Sequence, residues 1–112
     1  MSVRLEKAWQ PLCEEALQRL RGQLGVYELA DASGKTVFIG YAGGRSRFGL
    51  RGELEAELRK RAGSQLQFRY EVNMSYLSRY EELLMAHRAD HGSLPEENAR
   101  QPRRRLGRLS PH

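Results

Sequence analysis

Cysteine is almost missing from this chain: Cys13 is the single one, so no disulfide can close within it, which fits a reducing compartment. Cys13 falls among Leu12, Ala16 and Leu17 at helical spacing, which predicts a small buried thiol rather than a nucleophile. Long apolar runs are missing too. No stretch reaches the length that spans a bilayer, and the N-terminus lacks the apolar block of a signal peptide. Together these predict a cytoplasmic protein without membrane contact. The phosphate-cradling pattern Gly-x-x-x-x-Gly-Lys is absent, as are a nucleotide-cofactor fingerprint and a serine-hydrolase triad. Acid is the last absence, and it is local. Residues 1–98 hold fourteen Lys/Arg against fourteen Asp/Glu, whereas residues 99–112 hold Arg100, Arg103, Arg104, Arg105 and Arg108 with no acid. The whole net charge of +5 therefore lies in that tail. With Pro102, Gly107 and Pro111 and few apolar residues, it predicts a disordered basic arm able to condense on phosphate backbones.

What is present fits one small domain, since 112 residues leave room for a single core. Residues 1–23 form a first unit. Val3, Leu5, Ala8, Trp9, Leu12, Ala16, Leu17 and Leu20 recur at helical spacing, with Pro11 interrupting. This predicts a short turn and then a helix from about Pro11 to Gly22, packed on the core as a cover. Residues 24–98 form the domain proper. Two strands at about 24–30 and 35–41 flank Asp31-Ala32-Ser33-Gly34-Lys35, whose residues tolerate the angles of a reversal. After the loop Ala42-Gly43-Gly44-Arg45-Ser46-Arg47-Phe48-Gly49 comes a helix from Leu50 to Arg61, with Leu50, Leu54 and Leu58 on one face. Leu66–Val72 alternates as a third strand, and Tyr76–His91 reads as a helix stopped by Gly92. The expected class is α/β (α+β): a small three-stranded, mainly antiparallel sheet flanked by helices, in the order α-β-β-α-β-α.

The hairpin carries two tripeptides, Gly25-Val26-Tyr27 and Phe38-Ile39-Gly40, with Tyr27 and Phe38 eleven residues apart. Arg51 follows on the next helix, and Pro95-Glu96-Glu97-Asn98 comes after the last one. This order resembles the GIY-YIG nuclease superfamily over roughly residues 24–98. Relatives cut phosphodiesters with one divalent metal, usually Mg2+. A guanidinium steadies the charge on the attacked phosphate, a carboxylate holds the hard cation, and a phenol helps deliver water.

The resemblance implies catalytic roles for Tyr27 and Arg51, and motif positions at Gly25, Phe38, Gly40 and Asn98. Arg47 competes with Arg51 for the phosphate. Arg45, Arg47 and Arg51 together suggest an anion-binding rim, to which Arg103, Arg104 and Arg105 add. The plain alternative for Arg51 is a surface ion pair with Glu55, one turn on. Three positions depart from the family pattern. Phe38 lacks the usual hydroxyl, Glu55 replaces a His or Tyr, and Ala86 stands where aligned relatives carry the metal-binding Glu. Glu82, one turn earlier, is the candidate substitute ligand. His87 and His91, four apart on the same helix, have a spacing that can share a metal but lack further ligands. For both, a packing or surface role is the expectation.

The expectation is a nucleic-acid-associated protein of endonuclease ancestry, DNA ahead of RNA, whose cleavage activity is in doubt. One alternative is an active divergent Mg2+-dependent endonuclease using Tyr27, Arg51 and Glu82. Another is a non-catalytic adaptor. A protein partner would then supply any specificity, because the chain lacks the recognition domain usual in such nucleases.

Overall fold

The computed structural model describes residues 4–101, so Arg103, Arg104 and Arg105 lie outside the described residues. The elements are β1 (Gln10–Pro11), α1 (Glu14–Leu17), β2 (Gly25–Ala30), β3 (Thr36–Ala42), α2 (Gly49–Lys60), β4 (Gln67–Val72), α3 (Tyr76–His91) and α4 (Glu96–Arg100). They build a small α+β fold around an antiparallel sheet in the order β1-β4-β2-β3.

The hairpin and the two long helices fall where the sequence places them. Asp31 Oδ1 accepts the backbone N–H groups of Ser33 (2.9 Å) and Lys35 (3.0 Å), and Gly34 takes φ +94°. An Asx turn thus reverses the chain. Gly92 ends α3 at φ +81°, its N–H donating to the Arg88 carbonyl at 2.8 Å. This is the left-handed helix stop that glycine adopts without strain.

Two expectations need correction. The sheet has four strands rather than three, and the helix expected from about Pro11 to Gly22 is a single turn. Pro11 lies in an edge strand, where its missing N–H costs no ladder bond, and only Glu14–Leu17 is helical. The apolar stripe is real but is divided between two cores. Leu5 packs with Val26, Ile39 and Tyr80, whereas Leu12, Ala16, Leu17 and Leu20 pack with Tyr27, Leu29 and Phe68.

Those two cores are the two faces of the sheet. Cross-strand partners share a face. Tyr27 lies opposite Gly40 and Tyr70, and Leu29 opposite Phe38 and Phe68, on the face covered by α1 and α2. Val26 lies opposite Tyr41 and Glu71, and Glu28 opposite Ile39 and Arg69, on the face covered by α3. The outer edge, β3, is closed by α4. The Asn98 carboxamide accepts the Ile39 N–H (2.8 Å) and donates to the Ile39 carbonyl (2.9 Å), as a neighbouring strand would. It blocks an edge that would otherwise be open to pairing with another chain.

Candidate functional site

Tyr27 is the centre of the residues singled out by the resemblance, and it is sealed. Its side chain reaches from β2 toward α2, and the residue is only 2% exposed. The phenol donates to Glu57 Oε2 at 2.9 Å. Glu57 Oε1 accepts from Arg61 Nε at 2.8 Å, and Arg61 grips Glu97 of α4 with both terminal nitrogens at 2.7 and 2.5 Å. A chain Tyr27–Glu57–Arg61–Glu97 therefore runs from the buried face of the sheet through α2 to the half-exposed Glu97 on α4. Burial, and then the Glu57 carboxylate, hold the Tyr27 phenol well above its usual range. At neutral pH it stays protonated and serves as a donor, not as a base.

The motif glycines have packing reasons. A Cβ on Gly40 would stand 2.5 Å from the end of the Tyr27 ring, so the bare Cα makes room for that ring to cross the sheet. A Cβ on Gly25 would meet the Glu71 carbonyl oxygen at 2.1 Å. Phe38 takes its place beside Tyr27 with ring centroids 6.1 Å apart, and the Arg61 guanidinium lies 5.6 Å from its centroid. A cation over an aromatic face explains a ring at this position without requiring a hydroxyl.

The remaining candidates are not gathered around Tyr27. Arg51 pairs with Glu55 at 3.2 Å on the exposed side of α2, an i,i+4 contact of small energetic weight. Glu82 is bound to Arg79 at 2.5 Å, and Arg79 in turn holds Glu71 at 2.8 Å. Glu71 belongs to the face opposite Tyr27. The sheet therefore separates the expected metal ligand Glu82 from the expected catalytic Tyr27. Ala86, also on α3, offers no oxygen. Among the described residues no group of three or more His, Cys, Asp or Glu side chains could hold a metal ion. A Mg2+ site built from Tyr27, Arg51 and Glu82 does not fit this arrangement.

The His87 and His91 rings meet at a 37° tilt with centroids 4.4 Å apart, and His87 Nδ1 lies 2.9 Å from the Ser93 carbonyl oxygen. With Lys35, Pro95 and Arg100 they line a cleft of about 620 Å³ that Tyr27 does not reach.

Arg45 and Arg47 are different. They stand exposed in the loop between β3 and α2, and among the described residues neither pairs with a carboxylate. The loop is anchored rather than loose. Ser46 Oγ accepts the Gly43 N–H at 3.0 Å and donates to Glu53 at 2.8 Å, while the Gly44 N–H donates to the Tyr76 hydroxyl at 3.0 Å. Leu50 N–H reaches the Gln23 carbonyl at 2.8 Å, which brings the segment holding Arg21 to the same end of the molecule. Arg21 is likewise exposed and has no acidic partner among the described residues.

Glu57, Arg61 and Glu97 did not figure in the sequence reading as site residues. One signal was available: Glu57 and Arg61 continue the stripe of Leu50 and Leu54 onto the buried side of α2, where an unmatched charge is costly. Nothing in the spacing pointed to Glu97, which comes from a different helix.

The fold and the site together define a small α+β domain with a buried tyrosine–carboxylate–arginine chain and a basic loop at one end. Residues 3–90 match the family described as Domain of unknown function (DUF7508), and the chain belongs to that family. No curated protein and no solved structure matches it.

Proposed function

We propose that this protein is a GIY-YIG-like domain that holds nucleic acid by its phosphate backbone and does not cut it. The observation that carries the reading is the contrast between two sets of charged groups. Around Tyr27 the charges are buried and satisfied by one another. In the 43–48 loop, Arg45 and Arg47 point to solvent with no carboxylate to neutralise them. Unpaired guanidiniums on an anchored loop suit phosphate oxygens, which they can grip bidentately. Arg21 extends the same basic end, and Arg103, Arg104 and Arg105 add cationic charge from the C-terminal segment. Backbone contact of this kind is insensitive to sequence and strongly dependent on salt.

The test is fluorescence anisotropy of labelled DNA and RNA with the full chain over a range of salt. The double variant Arg45→Ala/Arg47→Ala should weaken binding and lower the slope of log K against log salt by roughly two. Neither side chain makes an ion pair, so the variant should fold as the parent does. Equal affinity and equal slope for parent and variant would show that the loop makes no phosphate contact.

A further inference from the structure

Phe48 is an aromatic ring held out into solvent, 64% exposed, between the basic loop and α2. A single exposed aromatic is unremarkable on a protein surface. The backbone beneath this one is not. Gly49 adopts φ +60°, and a Cβ on it would stand 2.3 Å from the Gly22 carbonyl carbon. A Cβ on Gly22 would meet the Phe48 carbonyl oxygen at 2.8 Å, and one on Gly52 would meet the Phe48 Cβ at 2.6 Å. Three bare Cα positions thus let residues 22 and 49 touch backbone to backbone and let Phe48 lean across the first turn of α2. The Gly52 N–H donates to the Phe48 carbonyl at 3.1 Å and fixes its backbone. The Arg47 guanidinium lies 5.6 Å from the ring centroid, and Arg45 is exposed earlier in the same loop.

We propose that Phe48 is a stacking platform for an unpaired nucleobase, so that this end prefers single-stranded nucleic acid to duplex. The inference deepens the phosphate-binding reading above and rests on it. A duplex buries its base faces and offers only edges and backbone, whereas a single strand presents a π face on every nucleotide. Phe48 supplies an exposed aromatic ring beside the Arg47 guanidinium, on the loop that also carries Arg45. That combination of ring and charge is what sequence-tolerant single-strand binding needs. The backbone that carries the ring is fixed before binding by its glycine seat, so little backbone freedom is lost on stacking.

The experiment compares an oligothymidylate with a blunt duplex of equal length, using the full chain and its Phe48→Ala and Phe48→Trp variants. Phe48→Ala should weaken single-strand binding by roughly five- to tenfold and duplex binding by less than about twofold. Phe48→Trp should retain single-strand affinity, and its added fluorescence should be quenched as the strand binds. If Phe48→Ala binds the single strand as tightly as the parent, with salt-dependent binding intact, the platform is wrong and the phosphate-binding reading stands. An unquenched Phe48→Trp in a saturated complex overturns the platform equally. If no form binds either probe at low salt, both readings fall.

Discussion

Arg61→Ala is expected to destabilise the folded protein by about 3–5 kcal/mol, the range for removing one partner of a buried ion pair. Arg61 and Glu57 have side chains only 13% and 6% exposed. Without the guanidinium, Glu57 would keep only the Tyr27 hydroxyl and the exposed Lys60 ammonium, 3.7 Å away. Glu97 would lose the group that ties α4 to α2. The double variant Glu57→Leu/Arg61→Leu should recover part of the loss, because it removes both buried charges while leaving the half-exposed Glu97 to solvent and the Tyr27 hydroxyl without its acceptor. Urea unfolding followed by Trp9 fluorescence measures both. A loss below about 1 kcal/mol for Arg61→Ala would mean that water reaches the pair and screens it.

The same pair predicts the direction of an acid effect. The hydrogen bonds from Arg61 hold the Glu97 carboxyl below its ordinary value of 4.5, against the opposing effect of burial. Its contribution is therefore complete above about pH 4.5 and is lost as pH falls through the lowered folded value. The stability gap between the parent and Arg61→Ala should narrow over that interval.

Asn98→Ala is the second large effect, about 2–4 kcal/mol, because the change strips partners from two buried backbone groups at once. Asn98 is 5% exposed and supplies both bonds to Ile39. Without them the Ile39 N–H and carbonyl face outward from the edge of β3, and α4 loses its seat. Two readouts should move together. The urea midpoint should fall, and gel filtration at high concentration should show self-association through the uncovered edge. Asn98→Asp keeps the shape but sets a carboxylate against the Ile39 carbonyl, so it should be destabilised as well. A midpoint unchanged in both variants would mean that the edge is closed by something other than this side chain.

How much of this was legible in the sequence divides along a physical line. Local signals carried the hairpin, since Asp31, Ser33 and Gly34 dictate a turn whatever surrounds them. The same holds for α3, whose length and Gly92 stop are set within its own segment. The first twenty residues misled because Leu5, Leu12, Ala16 and Leu17 match a helical period while packing on opposite faces of a sheet. Pro11 was the residue to weigh more heavily, since it also suits an edge strand. For the site, the sequence singled out Tyr27, Phe38 and the motif glycines, and the structure sets Tyr27, Phe38 and Gly40 side by side. Their surroundings depend on partners far along the chain: Glu57 is thirty residues from Tyr27, and Glu97 thirty-six from Arg61. Spacing cannot reveal such pairs. The separation of Glu82 from Tyr27 is a matter of strand parity: Tyr27 and Glu71 project from opposite faces of the sheet. That depends on the register between β2 and β4, which no single segment encodes.

The most direct test of the account is to incubate the full chain with supercoiled plasmid, branched DNA and RNA, in Mg2+ or Mn2+, and to resolve bound and cut products separately. The account predicts retarded complexes that dissolve as salt is raised, with every strand intact. Metal-dependent cleavage that disappears in Tyr27→Phe and in Glu82→Gln would contradict it, because it would require the sealed phenol and the carboxylate across the sheet to meet at one phosphate.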